Sequence, residues 1–175
     1  DANDGSSSDK PLLTIDKALS FADAGDSVVL ADGTYDQTVA SVKDGRQDAP
    51  ITIRGGRGAV VRGSDGFGRV MEIRHNYITL QGFTIDGKHG AGDSDSDYRD
   101  KLLYVIGSQA RRGVEGLKVD RMLIQNAGGE CVRLRYFARN NEISNSEIRN
   151  CGVQDFKFDG GAKNGEGIYI GTAPE

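Results

Sequence analysis

Three segments of the chain repeat the same arrangement of apolar residues. They read YITLQGFTIDG, GLKVDRMLIQN and NEISNSEIRN. Ile143 and Ile148 of the third segment follow Val119 and Ile124 of the second by the same 24 residues (143 − 119 and 148 − 124). A fixed period of this kind is typical of repeat proteins, in which each unit packs only against its neighbours. The repeat therefore constrains the fold more than any other feature of the sequence.

Each segment consists of two short β-rich runs separated by a two-residue corner, which is Gln81-Gly82, Asp120-Arg121 or Ser144-Asn145. Asn, Asp and Gly tolerate the left-handed backbone that such corners need. A second set of runs alternates with the first: VMEIR, LLYVIG, CVRLRYF and GEGIYIG. Each repeat unit then holds three strands, which predicts a parallel β-solenoid whose stacked coils bury a shared apolar interior.

Two stretches interrupt the period. Glu130 and Glu166 align with each other, but 36 residues separate them instead of 24 (166 − 130). The extra residues are assigned to an insertion at 153–164, and a comparable insertion lies at 87–101. We expect both insertions to stand as walls beside the same sheet.

The chain opens with a polar stretch at 1–11, and a helix is predicted to follow Thr14 as its N-cap. Leu13, Ala18, Leu19 and Ala22 lie near helical spacing, and Gly25 is expected to end the helix. The predicted organisation is a lead-in with a capping helix at 1–26, followed by β-helix coils at 27–175.

Nearly the whole chain resembles a known superfamily, and the motifs that carry the resemblance lie near the N-terminus. Gly25-Asp26, Val28, Leu30 and Gly33-Thr34-Tyr35 in the first coil, and Pro50-Ile51-Thr52-Ile53-Arg54-Gly55 in the second, are similar to the start of right-handed parallel β-helix proteins of the pectate lyase-like superfamily. The resemblance implies that fold, with an N-terminal capping helix. Pectin, alginate and chondroitin lyases, glycoside hydrolases, epimerases and non-enzymatic surface proteins all share it, so the resemblance alone does not assign a function.

Composition and charge exclude several functional classes. The chain of 175 residues carries a net charge of −4 and has a calculated pI near 5.3, which argues against nucleic-acid binding. The sequence contains no apolar run long enough to span a membrane. It begins with Asp1 instead of Met, from which we expect a secreted protein whose leader was removed.

Cys131 and Cys151 form neither a disulfide scaffold nor a zinc motif. The sequence leaves open whether they are bridged, and we expect them not to be essential to the fold.

A ligand-binding surface is predicted on the outer face of the third strand of each coil. Because alternate residues of a strand face opposite sides, the sequence predicts an outward row of Glu72, Tyr104, Arg133 and Tyr169. It also predicts a second row of Arg74, Ile106, Arg135 and Gly171. Arginines bind carboxylates in bidentate fashion, and tyrosines stack on sugar rings. The pattern favours an acidic polysaccharide as the ligand.

Cleavage of a uronate polymer by β-elimination needs a group that neutralises the carboxylate, a base for the C5 proton and an acid for the leaving oxygen. In the lyases that the chain resembles, the base is often Lys or Arg, and Arg or a cation neutralises the carboxylate. This resemblance implies Lys157 or Arg133 as the base. Tyr104 or Tyr169 is expected as the acid, and Arg135 as a further catalytic residue. Glu72 and Arg74 are expected to bind substrate. Replacing Arg133 and Arg135 together by Ala is expected to abolish glycan binding with little loss of stability.

Glu130 and Glu166 form a stacked pair of like charges in this alignment. A bound Ca²⁺ would relieve their repulsion, so Ca²⁺ is a possible cofactor. Alternatively, each Glu caps backbone N–H groups at a corner.

The leading functional prediction is lyase-like action on a uronate-containing polysaccharide. A non-catalytic structural, adhesion or carbohydrate-binding solenoid is the main alternative. A glycoside hydrolase would use paired carboxylates such as Glu130/Glu166 or Asp155/Asp159. Since the last strand, at 167–171, is followed by no capping element, we expect a second chain or a second copy to cover that end of the solenoid.

Overall fold

The computed structural model describes residues 3–64, 68–107, 109, 111–159 and 165–172. Its strands form a right-handed parallel β-helix of three sheets, as the sequence predicts. Every coil gives one strand to each sheet, and every pairing between neighbouring coils is parallel. Sheet 1 contains β1 (Ser27–Leu30), β4 (Ile51–Gly55), β7 (Ile78–Gln81), β10 (Lys118–Asp120) and β13 (Glu142–Ser144). Sheet 2 contains β2 (Gly33–Tyr35), β5 (Ala59–Val61), β8 (Thr84–Asp86), β11 (Leu123–Gln125) and β14 (Glu147–Arg149). Sheet 3 contains β3 (Val39–Ala40), β6 (Arg69–Ile73), β9 (Lys101–Val105), β12 (Val132–Leu134) and β15 (Ile168–Ile170).

The 24-residue offset corresponds to one turn of the solenoid. Val119 pairs with Ile143 in sheet 1, and Ile124 pairs with Ile148 in sheet 2. These side chains belong to ladders of stacked apolar residues that fill the interior from all three sheets. Because coils lie about 4.8 Å apart, each side chain contacts its equivalent above and below. Shared burial of this kind holds the coils in register.

The corner between sheets 1 and 2 is left-handed in successive coils. Gly82, Arg121 and Asn145 have φ values of 85°, 54° and 50°. Arg121 is the unexpected member, since side chains with a Cβ seldom adopt this conformation. The stacked geometry of the neighbouring corners imposes it there.

The N-terminal helix α1 (Ile15–Phe21) is confirmed, but it differs from the prediction in its end and its buried face. Thr14 is the N-cap and accepts a hydrogen bond from the Lys17 N–H at 3.2 Å. The helix ends at Phe21 and its C-cap is Ala22 instead of Gly25. Ile15 and Leu19 are buried under the first coil, whereas Leu13 is exposed. Leu13 precedes the N-cap, so helical periodicity does not apply to it.

The two cysteines form a disulfide bridge, with Cα atoms 5.5 Å apart. The bridge joins Cys131, immediately before β12, to Cys151, at the start of the second insertion. It therefore fixes the base of that insertion to the neighbouring coil.

Both insertions leave the corner between sheets 2 and 3, as the sequence predicts. The chain takes residues 87–100 to pass this corner in one coil, 126–131 in the next and 150–167 in the third. The first insertion includes a short 3₁₀ turn, Asp95–Asp97, and the second includes helix α2 (Val153–Phe156). Backbone hydrogen bonds link both to the short middle corner, including Gly128 N–H to Arg99 O and Gln154 N–H to Gly128 O. The two insertions form one continuous wall along this edge of sheet 3.

Burial decreases toward β15. The core residues Ile143 and Ile148 are only partly buried, and Ile168 and Ile170 of β15 are 44% and 77% exposed. No helix in the described part of the chain has the length and apolar character needed to cross a lipid bilayer.

Candidate functional site on the outer face of sheet 3

The strand register places the predicted outward row in one column. Glu72 pairs with Tyr104, Tyr104 with Arg133, and Arg133 with Tyr169 on successive coils. The name sheet 3 face is used below for the side chains of Arg69, Glu72, Arg74, Tyr104, Arg133, Arg135 and Tyr169. The wall formed by the insertions borders the edge at which the sheet 3 strands begin.

Tyr104 lies in this column but is only 2% exposed. The Arg69 guanidinium covers its ring at 3.7 Å from the centroid, and Arg135 donates a hydrogen bond to its hydroxyl at 2.8 Å. The expected role of Tyr104 as a sugar-stacking or proton-donating side chain does not fit this geometry. Its ring instead supports two arginines.

Glu72 joins two arginines on the same side of the column. Its two carboxylate oxygens accept hydrogen bonds from Arg69 at 3.0 Å and from Arg74 at 3.1 Å. The side chains of Arg69 and Arg74 are 40% and 49% exposed, whereas the side chain of Glu72 is 12% exposed. Glu72 therefore positions Arg69 and Arg74, whose side chains are the exposed part of this cluster.

Arg133 occupies the centre of the face and is held from two sides. It donates to Glu130 at 2.6 Å, and the Glu130 side chain is completely buried. Its guanidinium also lies over the Tyr169 ring, 4.4 Å from the centroid. In the described residues the Tyr169 hydroxyl has no hydrogen-bond partner, which leaves it available to a ligand.

The paired carboxylates predicted as a Ca²⁺ site occupy different environments. The register of Val132 with Ile168 places Glu130 opposite Glu166, as expected. Glu130, however, is buried against the positive charge of Arg133, and Glu166 is exposed. Calcium takes six to eight oxygen ligands, and the described residues include no group of three or more His, Cys, Asp or Glu that could hold a metal ion. This donor set does not suit Ca²⁺.

Lys157 lies on the wall. Its amino group contacts both carboxylate oxygens of Asp93 in the first insertion. This hydrogen bond raises the pKa of Lys157. The same hydrogen bond, with a second one from the Tyr98 hydroxyl, lowers the pKa of Asp93. Because a general base must be unprotonated, a Lys157 held as a cation by Asp93 is poorly suited to abstract a proton. It joins the two insertions instead, next to the contact between the rings of Tyr98 and Phe158 at 5.8 Å.

Two features of the site were missed in the sequence. Arg69 lies one residue before the run VMEIR, so strand alternation gave no reason to include it. The second feature is an open cleft at the opposite edge of sheet 3 from the wall. The cleft, called the rim cleft below, has a volume of about 520 Å³ and is lined by Arg111, Tyr136, Phe137, Gly171 and Thr172. The available signal was Phe137, an aromatic residue at the end of the run CVRLRYF.

The sheet 3 face has the chemistry of an anion-binding surface. Arg69, Arg74 and Arg133 are ion paired with two carboxylates, Glu72 and Glu130, so these five side chains carry one more positive than negative charge on an otherwise acidic protein. Guanidinium groups held in place by ion pairs and aromatic rings lose little further freedom when a carboxylate or sulfate binds.

Solved structures with a similar fold include polysaccharide lyases. The alginate lyase from Paenibacillus sp. str. FPU-7 superposes with a TM-score of 0.71 and 28% sequence identity, covering 90% of this chain and 47% of the lyase. The pectate lyase Pel9A superposes with a TM-score of 0.70 and 18% identity, covering 98% of this chain and 42% of the lyase. The family PL6 alginate lyase AlyGC gives a TM-score of 0.52 and 19% identity over 73% of this chain and 17% of the enzyme.

The chain thus spans less than half the length of these structures. No curated protein matches its sequence. A family model, described as Protein of unknown function (DUF1565), matches residues 1–170. Since that match covers nearly the whole sequence, the chain is a member of the DUF1565 family.

Proposed function

We propose that this protein binds a uronate-containing polysaccharide on the sheet 3 face and cleaves it by β-elimination. The proposal rests on one observation, the column in which Arg133 lies between Tyr104 and Tyr169 with an excess of arginines around it. Such a surface offers paired donors for sugar carboxylates and an aromatic hydroxyl beside them.

The geometry favours particular roles for these side chains. Arg133 and Arg135 neutralise the carboxylate of the sugar, which makes the C5 proton more acidic. Solvent water at the open face takes up the C5 proton, the electron pair of the broken C–H bond forms the C4–C5 double bond, the C4–O bond breaks, and the leaving oxygen takes up a proton. We assign that proton donation to Tyr169, because its hydroxyl has no partner within the described residues.

The fold neighbours support this proposal at the level of substrate class. Two of them are alginate lyases and one is a pectate lyase. Alginate and pectate are both uronate polymers, which agrees with the arginine-rich face. Because the chain covers only part of each lyase, their activities are carried here as a proposal.

Incubation with alginate, pectate and chondroitin tests the reaction. A rise in ultraviolet absorbance from the unsaturated uronate product is expected with at least one polymer. New reducing ends without that absorbance would instead indicate a glycoside hydrolase. If none of the three polymers yields either product, the lyase proposal is refuted.

A non-catalytic carbohydrate-binding solenoid is the second candidate. It is favoured by the ion pairs of Arg133 and Lys157, the two side chains predicted as bases. Arg133 is engaged with the buried Glu130, and the contact with Asp93 raises the pKa of Lys157, which suits binding better than proton abstraction. Retention of the protein on immobilised alginate or pectate, without any product, would support this candidate over the lyase.

The disulfide supports a secreted location, because such bridges persist in oxidising compartments. We propose that the natural protein is extracellular. Fractionation of the producing cells, with this chain found only in the cytosol, would contradict that proposal.

We also propose that a further β-helical coil, from a second polypeptide or a second copy, packs on β15. The exposed Ile168 and Ile170 support it, since stacked coils normally bury these positions. Light scattering is expected to show self-association or a co-purifying chain. A monomer of 18.8 kDa across micromolar concentrations would refute it.

A further inference from the structure

The rim cleft lies directly beside the sheet 3 face. Tyr136 follows Arg135 in the chain, and its ring lies 4.9 Å from the Arg135 guanidinium. Its backbone N–H donates to the Thr172 hydroxyl of the next coil at 3.1 Å. The cleft is therefore attached to two successive coils at the end of their sheet 3 strands.

The backbone of the cleft adopts conformations that its residues normally avoid. Arg111, Tyr136 and Phe137 have φ values of 59°, 45° and 31°. Bulky side chains in the left-handed region are strained and persist only where the surroundings impose that conformation. Gly113 is one such constraint, because a Cβ there would lie 1.9 Å from the Tyr136 carbonyl oxygen.

The strained turn exposes an aromatic ring instead of burying it. Phe137 is 81% exposed, so its hydrophobic surface contributes almost nothing to the folded core. An exposed, conformationally fixed aromatic side chain next to a polar face is the arrangement that stacks on sugar rings.

The cleft also contains an arginine, Arg111, whose ion pairing differs from that of the arginines on the sheet 3 face. Arg69, Arg74 and Arg133 are all ion paired. Arg111 is exposed, and within the described residues it forms no ion pair. An incoming carboxylate would meet it without displacing an internal partner.

We propose that the rim cleft is a second sugar subsite, in which a pyranose ring stacks on Phe137 while its carboxylate binds Arg111. The ligand is a uronate-containing oligosaccharide whose remaining sugars lie on the sheet 3 face. The proposal rests on the glycan-binding part of the proposed function and adds the residues that select an acidic sugar at this edge.

Calorimetric titration with short oligogalacturonate and oligoguluronate tests this subsite, with a neutral cello-oligosaccharide of similar length as the comparison. Phe137→Ala is expected to weaken acidic-oligosaccharide binding about tenfold, the effect of losing one favourable aromatic contact. Phe137→Tyr, which keeps the ring, should bind like the wild type. Arg111→Gln should weaken binding of the acidic oligosaccharides but not of the neutral one.

Phe156→Ala is the matched control. Phe156 is also 81% exposed, but it lies on the wall at the opposite edge of sheet 3. This variant should bind like the wild type. Far-ultraviolet circular dichroism and thermal unfolding establish that each variant is folded.

The outcomes separate the two proposals. If the wild type binds no acidic glycan, the proposed function fails and the subsite fails with it. If the wild type binds and Phe137→Ala binds equally well, only the subsite is overturned. A dimer that dissociates in Phe137→Ala, with unchanged glycan affinity, would assign this ring to a protein interface and would also overturn the subsite.

Discussion

Arg135 donates a hydrogen bond of 2.8 Å to the hydroxyl of Tyr104 on the neighbouring coil. The bond joins a buried ring to the outer face and fixes the guanidinium above it. Tyr104→Phe is therefore expected to lower the free energy of unfolding by about 1 kcal/mol and to weaken acidic-glycan binding several-fold. Urea unfolding and calorimetry measure the two effects. Unchanged glycan affinity would show that this bond does not position Arg135 for binding.

Arg133 is expected to be far more important for stability than its outward position suggests. Arg133→Ala removes the ion pair that Arg133 makes with the fully buried Glu130, and loss of one partner from a buried pair costs about 3 kcal/mol or more. This prediction differs from the expectation from the sequence that replacing Arg133 and Arg135 leaves stability nearly unchanged. Urea unfolding of Arg133→Ala measures the loss.

The double variant Arg133→Ala/Glu130→Gln is the control for this pair. It should regain much of the stability, because no buried charge remains, yet it should still bind acidic glycans weakly. If Arg133→Ala proves as stable as the wild type, the buried ion pair contributes little.

The Cys131–Cys151 bridge is expected to stabilise the protein. Closing a chain separation of 20 residues restricts the unfolded state by about 3 kcal/mol in the chain-entropy model. Reduction should lower the thermal midpoint and loosen the second insertion first, since the bridge fixes its base. Thermal unfolding with and without reductant measures the first effect, and limited proteolysis measures the second. An unchanged midpoint would instead support the view from the sequence that the cysteines are not essential.

The Asp93–Lys157 contact is expected to hold the wall together over a defined pH range. The pKa of Asp93 is lowered by Lys157, so its contribution is lost as pH falls below the ordinary aspartate value of 3.8. The pKa of Lys157 is raised by Asp93, so its contribution is lost as pH rises above the ordinary value of 10.5. Between these limits both groups are charged and the contact is complete.

Asp93→Asn provides the measurement. Hydrogen exchange of α2 should be faster in the variant than in the wild type around neutral pH, and the two should converge in acid. A difference that persists well below pH 3.8 would mean that the charge of Asp93 is not what secures the wall.

Phe137→Gly separates stability from binding. Glycine adopts positive φ values without strain, so this variant is expected to gain about 1 kcal/mol of stability while losing the affinity that depends on the ring. Denaturant unfolding and calorimetry on the same preparation measure both. A less stable variant would show that Phe137 contributes packing to the fold.

The sequence was sufficient to predict the coils because their interior is periodic. Val119 and Ile143 lie one turn apart, and the same spacing recurs wherever an apolar ladder passes through the core. The outward column followed from the same register by simple alternation. Both insertions were also located, since they interrupt the period.

Side-chain partners on the outer face do not follow from periodicity. Arg69 folds back over Tyr104 from a residue at the beginning of its strand, and Glu130 turns inward to meet Arg133. These side-chain contacts depend on three-dimensional packing between coils. The cysteines illustrate the same limit, because a separation of 20 residues along the chain became 5.5 Å between Cα atoms through the coil that contains β12, β13 and β14.

The corner between sheets 2 and 3 can vary in length without disturbing the coils. The chain passes it in residues 126–131 of one coil and in 150–167 of the next, yet the strands on either side remain paired in register. Loop exchange at this corner is therefore a route by which one scaffold could acquire new substrate preferences. Foreign loops can therefore be grafted at this corner, because the stacked apolar residues of the core stabilise the fold without it.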